Sequence, residues 1–449
     1  MRFYSQPVPE HEEVPLADGG EWERLVDQTP ITPEHPGVYV LSLSRQSDPL
    51  VRHAQLVEIC ELVRAQGDQI LGQEIRMLTR THPRTLLGKG TCREVAERAR
   101  ACGATMIVLD AELSPSQMRS LEDLTGLSVA DREGVILNVF LKHASTRRAR
   151  VQVEIAQLEY LRPRIRGVGI DMDQQMGGVA GSRGPGETAS ELLARKLDGR
   201  LAELEKQQLK LHLAEQQQRR GRSQCRRIAL VGYTNAGKTS LMNALTAEKL
   251  SARQRPFETL DTTSRSLSRH GQRVLLSDTV GFIRRLPERL LASFESTLAE
   301  IREAHLLTLV VDVNDYEWQS HLDTTTQMLE RLGADKIRRF YVFNKADLLD
   351  HVPWDLLQER SQGFPFRLLS SHNQDAVKLL KQDLLDLVRQ ELASRTLFVP
   401  YSATTVMSKI YRDCRVLKSL PTPRGLRLDL QAEERILQQI KEELKCRKH

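Results

Sequence analysis

Apolar residues along this chain fall into two rhythms, short unbroken runs and helical stripes. The runs at residues 228–231, 273–277 (RVLLS) and 340–343 (FYVF) predict buried strands, each followed at once by glycine or polar residues. Upstream, residues 38–42, 70–77 and 106–109 predict strands separated by helical patterns at 52–64 and 92–102. That alternation predicts a small α/β domain over residues 37–145. From 150 to 161, Val151, Ile155 and Leu158 share one helical face until Pro163 ends the run. A second helix is predicted from about 187 to 222, where Leu197, Leu201, Leu204, Gln208 and Leu211 are spaced four, three, four and three, as in a heptad seam. Between these helices, residues 167–188 hold seven glycines. An antiparallel helical hairpin over 146–223 carrying an extended basic loop is the economical arrangement; a floppy linker is the alternative. The tail from 395 predicts strand, helix (about 406–420), Pro-rich turn, strand and a charged helix, a small α+β domain over 395–449. It either packs on its neighbour or offers an accessory contact surface.

At 449 residues the chain is long enough for about three domains, and no apolar run approaches the ~20 residues of a membrane span. The first 36 residues, with six prolines and eight acidic residues against two arginines, predict a flexible tail rather than a transit or signal peptide. Six scattered cysteines without metal spacing predict reduced thiols in a cytoplasmic compartment. Charge is lopsided. The formal net charge is +6, yet residues 141–227 carry 18 Lys and Arg against 10 Asp and Glu, so the remainder is slightly acidic. Basic charge gathered in one segment points to a nucleic-acid partner met through phosphates, with Arg147, Arg148, Arg150 and Arg183 as candidate contacts; a solvated helix face is the plainer reading. Gly88-Lys89-Gly90 precedes a helix but lacks phosphate-loop spacing and reads as a turn or an RNA phosphate contact.

The chemistry gathers behind the three later strands, in a predicted α/β domain with a mostly parallel sheet over 224–394. Gly232, Tyr233, Thr234, Asn235, Ala236, Gly237, Lys238 and Thr239 form a strand-to-helix glycine loop. Its N–H groups can cradle phosphates, with Lys238 as a point charge and the Thr239 hydroxyl for Mg2+. The second run ends in Asp278-Thr279-Val280-Gly281, where the carboxylate can hold Mg2+ through water and the glycine N–H can meet a γ-phosphate. The third ends in Asn344-Lys345-Ala346-Asp347. The Asp347 carboxylate can accept two hydrogen bonds from N1–H and the 2-amino group of guanine, whereas adenine offers no such donors, so GTP is preferred over ATP. A helix cap at Asp278 and a turn at 344–347 are the ordinary alternatives; the three motifs in order at strand ends favour the nucleotide.

The segments GGVAGSRGPGET, GYTNAGKTSLMNALT, TLDTTSR, DTVGFIRRLPERLLASFESTLAEI and NKADLL together resemble HflX, a family of ribosome-associated GTPases, and the likeness runs from about residue 50 to 400. This resemblance implies an amino-terminal domain and helical hairpin fused to a Ras-like GTPase domain. It also implies a monomeric enzyme that hydrolyses GTP to GDP and phosphate, binds the large ribosomal subunit and its rRNA, and splits stalled or idle ribosomes under stress. Carried over by position, Ser370 and Ser371 match the base loop, and Thr259 within Phe257-Glu258-Thr259-Leu260-Asp261 is the first-switch threonine reaching Mg2+ and the γ-phosphate; Thr262, Thr263 and Ser264 are rivals. Lys238, Thr259 and Gly281 are then the catalytic candidates. The chain departs from the family at Glu258 and Thr262, where alanine and proline are usual, and at Ser371, where alanine is usual. Asn235 resembles the potassium ligand of cation-activated GTPases, and a plain loop hydrogen bond is its alternative role. Phe282 stands where other GTPases place a water-orienting glutamine, and phenylalanine cannot orient water. Slow intrinsic turnover, stimulated by the ribosome, is expected. Two other functions remain open: an RNA-binding ATPase or helicase-like module, and a non-enzymatic GTP sensor.

Overall fold

The computed structural model describes residues 37–165, 189–220, 225–246, 263–267, 274–287, 289–290, 300–389, 392–432 and 434–446. The predicted tail at 1–36, the glycine-rich loop with Arg183, and residues 257–261 lie outside these ranges.

The first sheet is parallel, in the order β2-β1-β3-β4, built from β1 (Gly37–Ser44), β2 (Gln69–Met77), β3 (Met106–Leu109) and β4 (Ser128–Asp131). β1 lies inside the sheet and is buried along nearly its whole length, which is why GVYVLSLS reads as a continuous rather than alternating apolar run. β4 supplies an edge that the sequence pattern did not mark. Helix α1 (Pro49–Gln66) begins at Asp48, whose side chain accepts from the Leu50 N–H, and ends at Gly67 in the left-handed region at φ 98°. Helices α2 (Lys89–Ala101), α3 (Pro115–Thr125) and α4 (Arg132–His143) complete this layer. Gly88 caps α2 without a side-chain hydrogen bond, and Lys89 and Gly90 already form its first turn, so the turn expected over 88–90 is instead the start of the helix.

Helices α5 (Arg147–Ile165) and α6 (Ala189–Arg220) pack through Val151, Ile155 and Leu158 against Leu197 and Leu204. The ion pairs Arg162–Asp198 at 2.8 Å and Arg200–Glu154 at 3.1 Å set the two helices antiparallel, the predicted hairpin. One expectation fails here: Pro163 does not end α5. It occupies the last described turn, where a proline forfeits one backbone hydrogen bond. That turn is fastened by Arg164, whose guanidinium lies 3.5 Å over the Tyr160 ring and donates to Tyr160 O at 2.8 Å.

The second sheet has six strands in the order β10-β9-β8-β5-β7-β6. Its members are β5 (Arg226–Gly232), β6 (Thr263–Ser266), β7 (Val274–Asp278), β8 (Leu306–Asp312), β9 (Arg339–Asn344) and β10 (Phe366–Leu368). All pairs are parallel except edge strand β6 on β7, so the sheet is mostly parallel as predicted. Helices α7 (Lys238–Thr246), α8 (Trp318–Arg331) and α9 (Trp354–Arg360) lie between its strands in the chain, and α10 (Gln374–Arg389) follows β10. Its core is contiguous with that of the first sheet: Val135, Ile136 and Phe140 belong to the same apolar cluster as Tyr233, Phe282, Ile283 and Trp318.

The last unit is an antiparallel sheet β11-β13-β12 with α11 (Thr404–Asp413) and α12 (Glu434–Cys446) on one face. Its strands are β11 (Ala393–Pro400), β12 (Arg415–Thr422) and β13 (Gly425–Ala432). The helix expected over 406–420 stops at Asp413, and residues from 415 form β12 instead. Val406 and Ile410 bury one helical turn, but from Cys414 onward the backbone is extended and pairs with β13 from Arg415 opposite Gln431 to Thr422 opposite Gly425. A cross-strand ladder here outweighs helix propensity.

Candidate GTP site

Strands β5, β7 and β9 run parallel, so their carboxyl ends open on one rim of the sheet, where open α/β sheets take ligands. β5 delivers the loop 232–239 into the start of α7. Gly232 and Gly237 allow close approach: a Cβ on Gly232 would stand 2.2 Å from Val310 O, and one on Gly237 2.4 Å from Asn344 Nδ2. Lys238 is buried and donates through Nζ to Gly232 O at 3.1 Å and Tyr233 O at 2.8 Å. Burial lowers its pKa to about 8 against the opposing pull of Asp278. An ammonium held this way calls for an anionic ligand.

The Thr239 hydroxyl donates to Asp278 Oδ2 at 2.7 Å, so a hydroxyl and a fully buried carboxylate already stand side by side. That pair of hard oxygen donors fits Mg2+, which keeps several waters and takes one or two protein ligands beside phosphate. Thr279 is buried and donates to Leu230 O at 2.7 Å; Val280 packs in the apolar core. Gly281 is pressed against the phosphate loop, with a built Cβ 3.0 Å from Lys238 Nζ and from Thr234 Cα. Thr263 and Ser264, rivals for the first-switch role, sit in β6 opposite Asp278 and Ser277, and the Ser264 and Ser277 hydroxyls are 2.8 Å apart. Asn235 is exposed with φ 61°.

At β9, Asn344 is buried and joins two loops: its Nδ2 donates to Ala236 O and its Oδ1 accepts from the Ser371 N–H, both at 3.0 Å. Lys345 adopts φ 63° and donates to Asp312 Oδ2 at 2.6 Å. Ala346 and Asp347 open a short 3-10 turn, and Asp347 is exposed. The Ser370 hydroxyl beside it lowers its carboxyl pKa, keeping it an acceptor-only carboxylate at neutral pH. The structure thus gathers 232–239, 278–281, 344–347 and 370–371 around one rim.

Phe282 is buried, and its backbone is bridged to the phosphate loop: Phe282 N donates to Gly232 O at 3.0 Å and Thr234 N to Phe282 O at 2.8 Å. Sequence reasoning missed the groups beneath this bridge. The Tyr233 hydroxyl donates to Glu58 of α1 at 2.5 Å and accepts the Arg284 N–H at 2.9 Å. Asp312 was missed too, although the apolar run LLTLVV that leads to it is a readable strand signal.

With the site described, likeness to known proteins becomes informative. A family model for the GTP-binding GTPase N-terminal region matches residues 53–141, a middle-region model matches 143–222, and a 50S ribosome-binding GTPase model matches 227–345. GTPase HflX of Gluconacetobacter diazotrophicus is 36% identical over 439 residues, spanning 89% of this chain and 96% of that one. The chain belongs to the HflX family. GTPase HflX of Escherichia coli K12 is likewise 36% identical over 365 residues, covering 80% and 84% of the two chains. As an HflX-family member the chain is a GTPase that hydrolyses GTP. A solved GTP-binding protein from Sulfolobus solfataricus, in complex with GDP, is 20% identical with a TM-score of 0.42 over 79% of this chain and 99% of that one. Among the described residues no helix is long and apolar enough to cross a membrane.

Proposed function

We propose that this HflX-family GTPase acts on ribosomes, docking on the large subunit through its basic hairpin and separating stalled or idle particles in a nucleotide-dependent way. The observation that carries this reading is the attachment of the nucleotide rim, through Tyr233 and Arg284, to helices α1 and α4 of the amino-terminal domain that the hairpin follows. The basic excess of residues 141–227 and the family model described as 50S ribosome-binding support it. Arg147 lines a shallow cleft with Lys206 and Lys210, a surface suited to phosphates.

In the pocket, Lys238 and the loop N–H groups would hold the β- and γ-phosphates, Gly281 N–H would meet the γ-phosphate, and Asp347 would read guanine beside Ser370 and Ser371. Thr239 and Asp278, with Thr259, would hold Mg2+, which when bound neutralises phosphate charge. Asn235, exposed at the loop's crest, is the proposed ligand for a stimulating K+. Because Phe282 is buried and supplies no polar side chain, the attacking water must be ordered by backbone, ion or ribosome, which gives slow turnover without the partner.

Co-sedimentation with purified subunits tests the proposal. Large-subunit binding with a non-hydrolysable GTP analogue and weak binding with GDP is expected; equal binding in both states, or equal phosphate release with and without large subunits, would overturn it.

A further inference from the structure

The amino-terminal domain reaches the nucleotide rim through a buried charge cluster. Glu58 of α1, its side chain 13% exposed, pairs with the Arg132 guanidinium, accepts from the Tyr233 hydroxyl at 2.5 Å and stands 3.5 Å from Arg284 Nε. Arg132 also pairs with Asp110 at 2.7 Å and donates to Arg284 O at 2.9 Å, so a guanidinium at the start of α4 grips the main chain just past the second switch. Arg284 is held from the other side by Glu317 and His321, and the His321 ring stacks on Tyr233 at 3.7 Å between centroids. Tyr233 belongs to the phosphate loop and Arg284 follows Gly281 by three residues. One carboxylate from outside the GTPase sheet therefore ties together the two segments that must face the γ-phosphate.

The electrostatics fit a permanently ionised hub. Burial pushes the Glu58 carboxyl up, but Arg132, Arg284 and the Tyr233 hydroxyl outweigh it, and the net shift is downward. The cluster holds two carboxylates beside Arg132 and two beside Arg284, so neither guanidinium depends on Glu58 alone for a counter-charge. What Glu58 supplies uniquely is the acceptor for Tyr233.

We propose that Glu58 is a positioning residue for GTP hydrolysis, setting the spacing of the phosphate loop and second switch through the Tyr233 hydroxyl and Arg284. It acts only through those two residues. With Phe282 unable to order water, catalysis leans on backbone groups, and their spacing becomes rate-determining.

Full-length Glu58→Gln, Tyr233→Phe and the double variant, assayed by single-turnover phosphate release at saturating GTP with Mg2+, test this. Each single change should lower the rate about tenfold while the GTP dissociation constant moves less than about threefold, and the double variant should be no slower than either single. Glu133→Gln removes a second interdomain pair, with Arg289 at 3.4 Å, that does not reach the phosphate loop, and should leave the rate within about twofold. If Glu58→Gln does not fold, Tyr233→Phe still decides, since it keeps every charge and the stacked ring. Rates unchanged in folded variants, losses that multiply to about a hundredfold in the double, or an equal loss in Glu133→Gln would overturn the proposal and leave Glu58 as interdomain glue.

Discussion

Gly237 passes so close beneath Asn344 that a methyl group on its Cα would stand 2.4 Å from the side-chain nitrogen, and its φ of 88° is itself disfavoured for any L side chain. Asn344 cannot retreat, because it bridges Ala236 O and the Ser371 N–H from a buried position. Gly237→Ala should therefore break this bridge and lower GTP affinity about a hundredfold or more, the cost of orphaning buried polar groups. Isothermal titration with GTP measures it, and an affinity within about threefold of the parent would refute the coupling.

Asp347 should name the base. Replacing it with asparagine substitutes an N–H donor for one carboxylate oxygen, which matches the 2-carbonyl of xanthine and opposes the 2-amino group of guanine. Asp347→Asn should lose GTP by roughly two orders of magnitude and gain XTP, read as competition against a fluorescent guanine nucleotide. Unaltered selectivity would remove Asp347 from the base site and revive the ATPase reading.

Lys238 links binding to protons. Buried beside a single carboxylate, its pKa is lowered to about 8 in the free protein, and bound phosphates raise it again. Between those two values the complex holds a proton that the free protein lacks. GTP affinity should thus be flat below about pH 8 and fall by up to about tenfold per unit above it. Titrations at pH 8.5 in two buffers of different ionisation enthalpy should report proton uptake, and identical heats in both would contradict the shift.

Phe282→Gln is the obvious attempt to install a water-orienting side chain, and it should fail. The ring is fully buried in the apolar cluster shared by both sheets, so an amide there lacks water and partners. A loss of about 2–4 kcal/mol in urea-unfolding stability is expected with no gain in intrinsic turnover. A faster, equally stable variant would mean that position 282 can face the nucleotide.

How much of this was legible in the sequence follows from distance along the chain. The phosphate loop, the 278–281 turn and the 344–347 turn are contiguous runs behind apolar strands, and each lands at the rim because strand direction and motif are written in neighbouring residues. The hairpin was readable from its heptad seam. β12 was misread as helix because its residues are mostly exposed and its partner strand supplies the ordering. The contact between Glu58 and Tyr233 spans 175 positions and depends on two domains meeting; a lone glutamate on a helix carries no local sign of it. Nor does Arg132, which looks like any basic residue opening a helix until Asp110 and Glu58 surround it.

The stitches joining the phosphate loop to Phe282 use peptide groups alone, Thr234 N to Phe282 O and Phe282 N to Gly232 O. Their chemistry is indifferent to which side chains occupy 234 and 282, with proline as the exception because it lacks the donor. Any residue at 282 that keeps its backbone N–H therefore leaves the seam between cradle and switch able to form, whatever the exchange does to the packing beneath it.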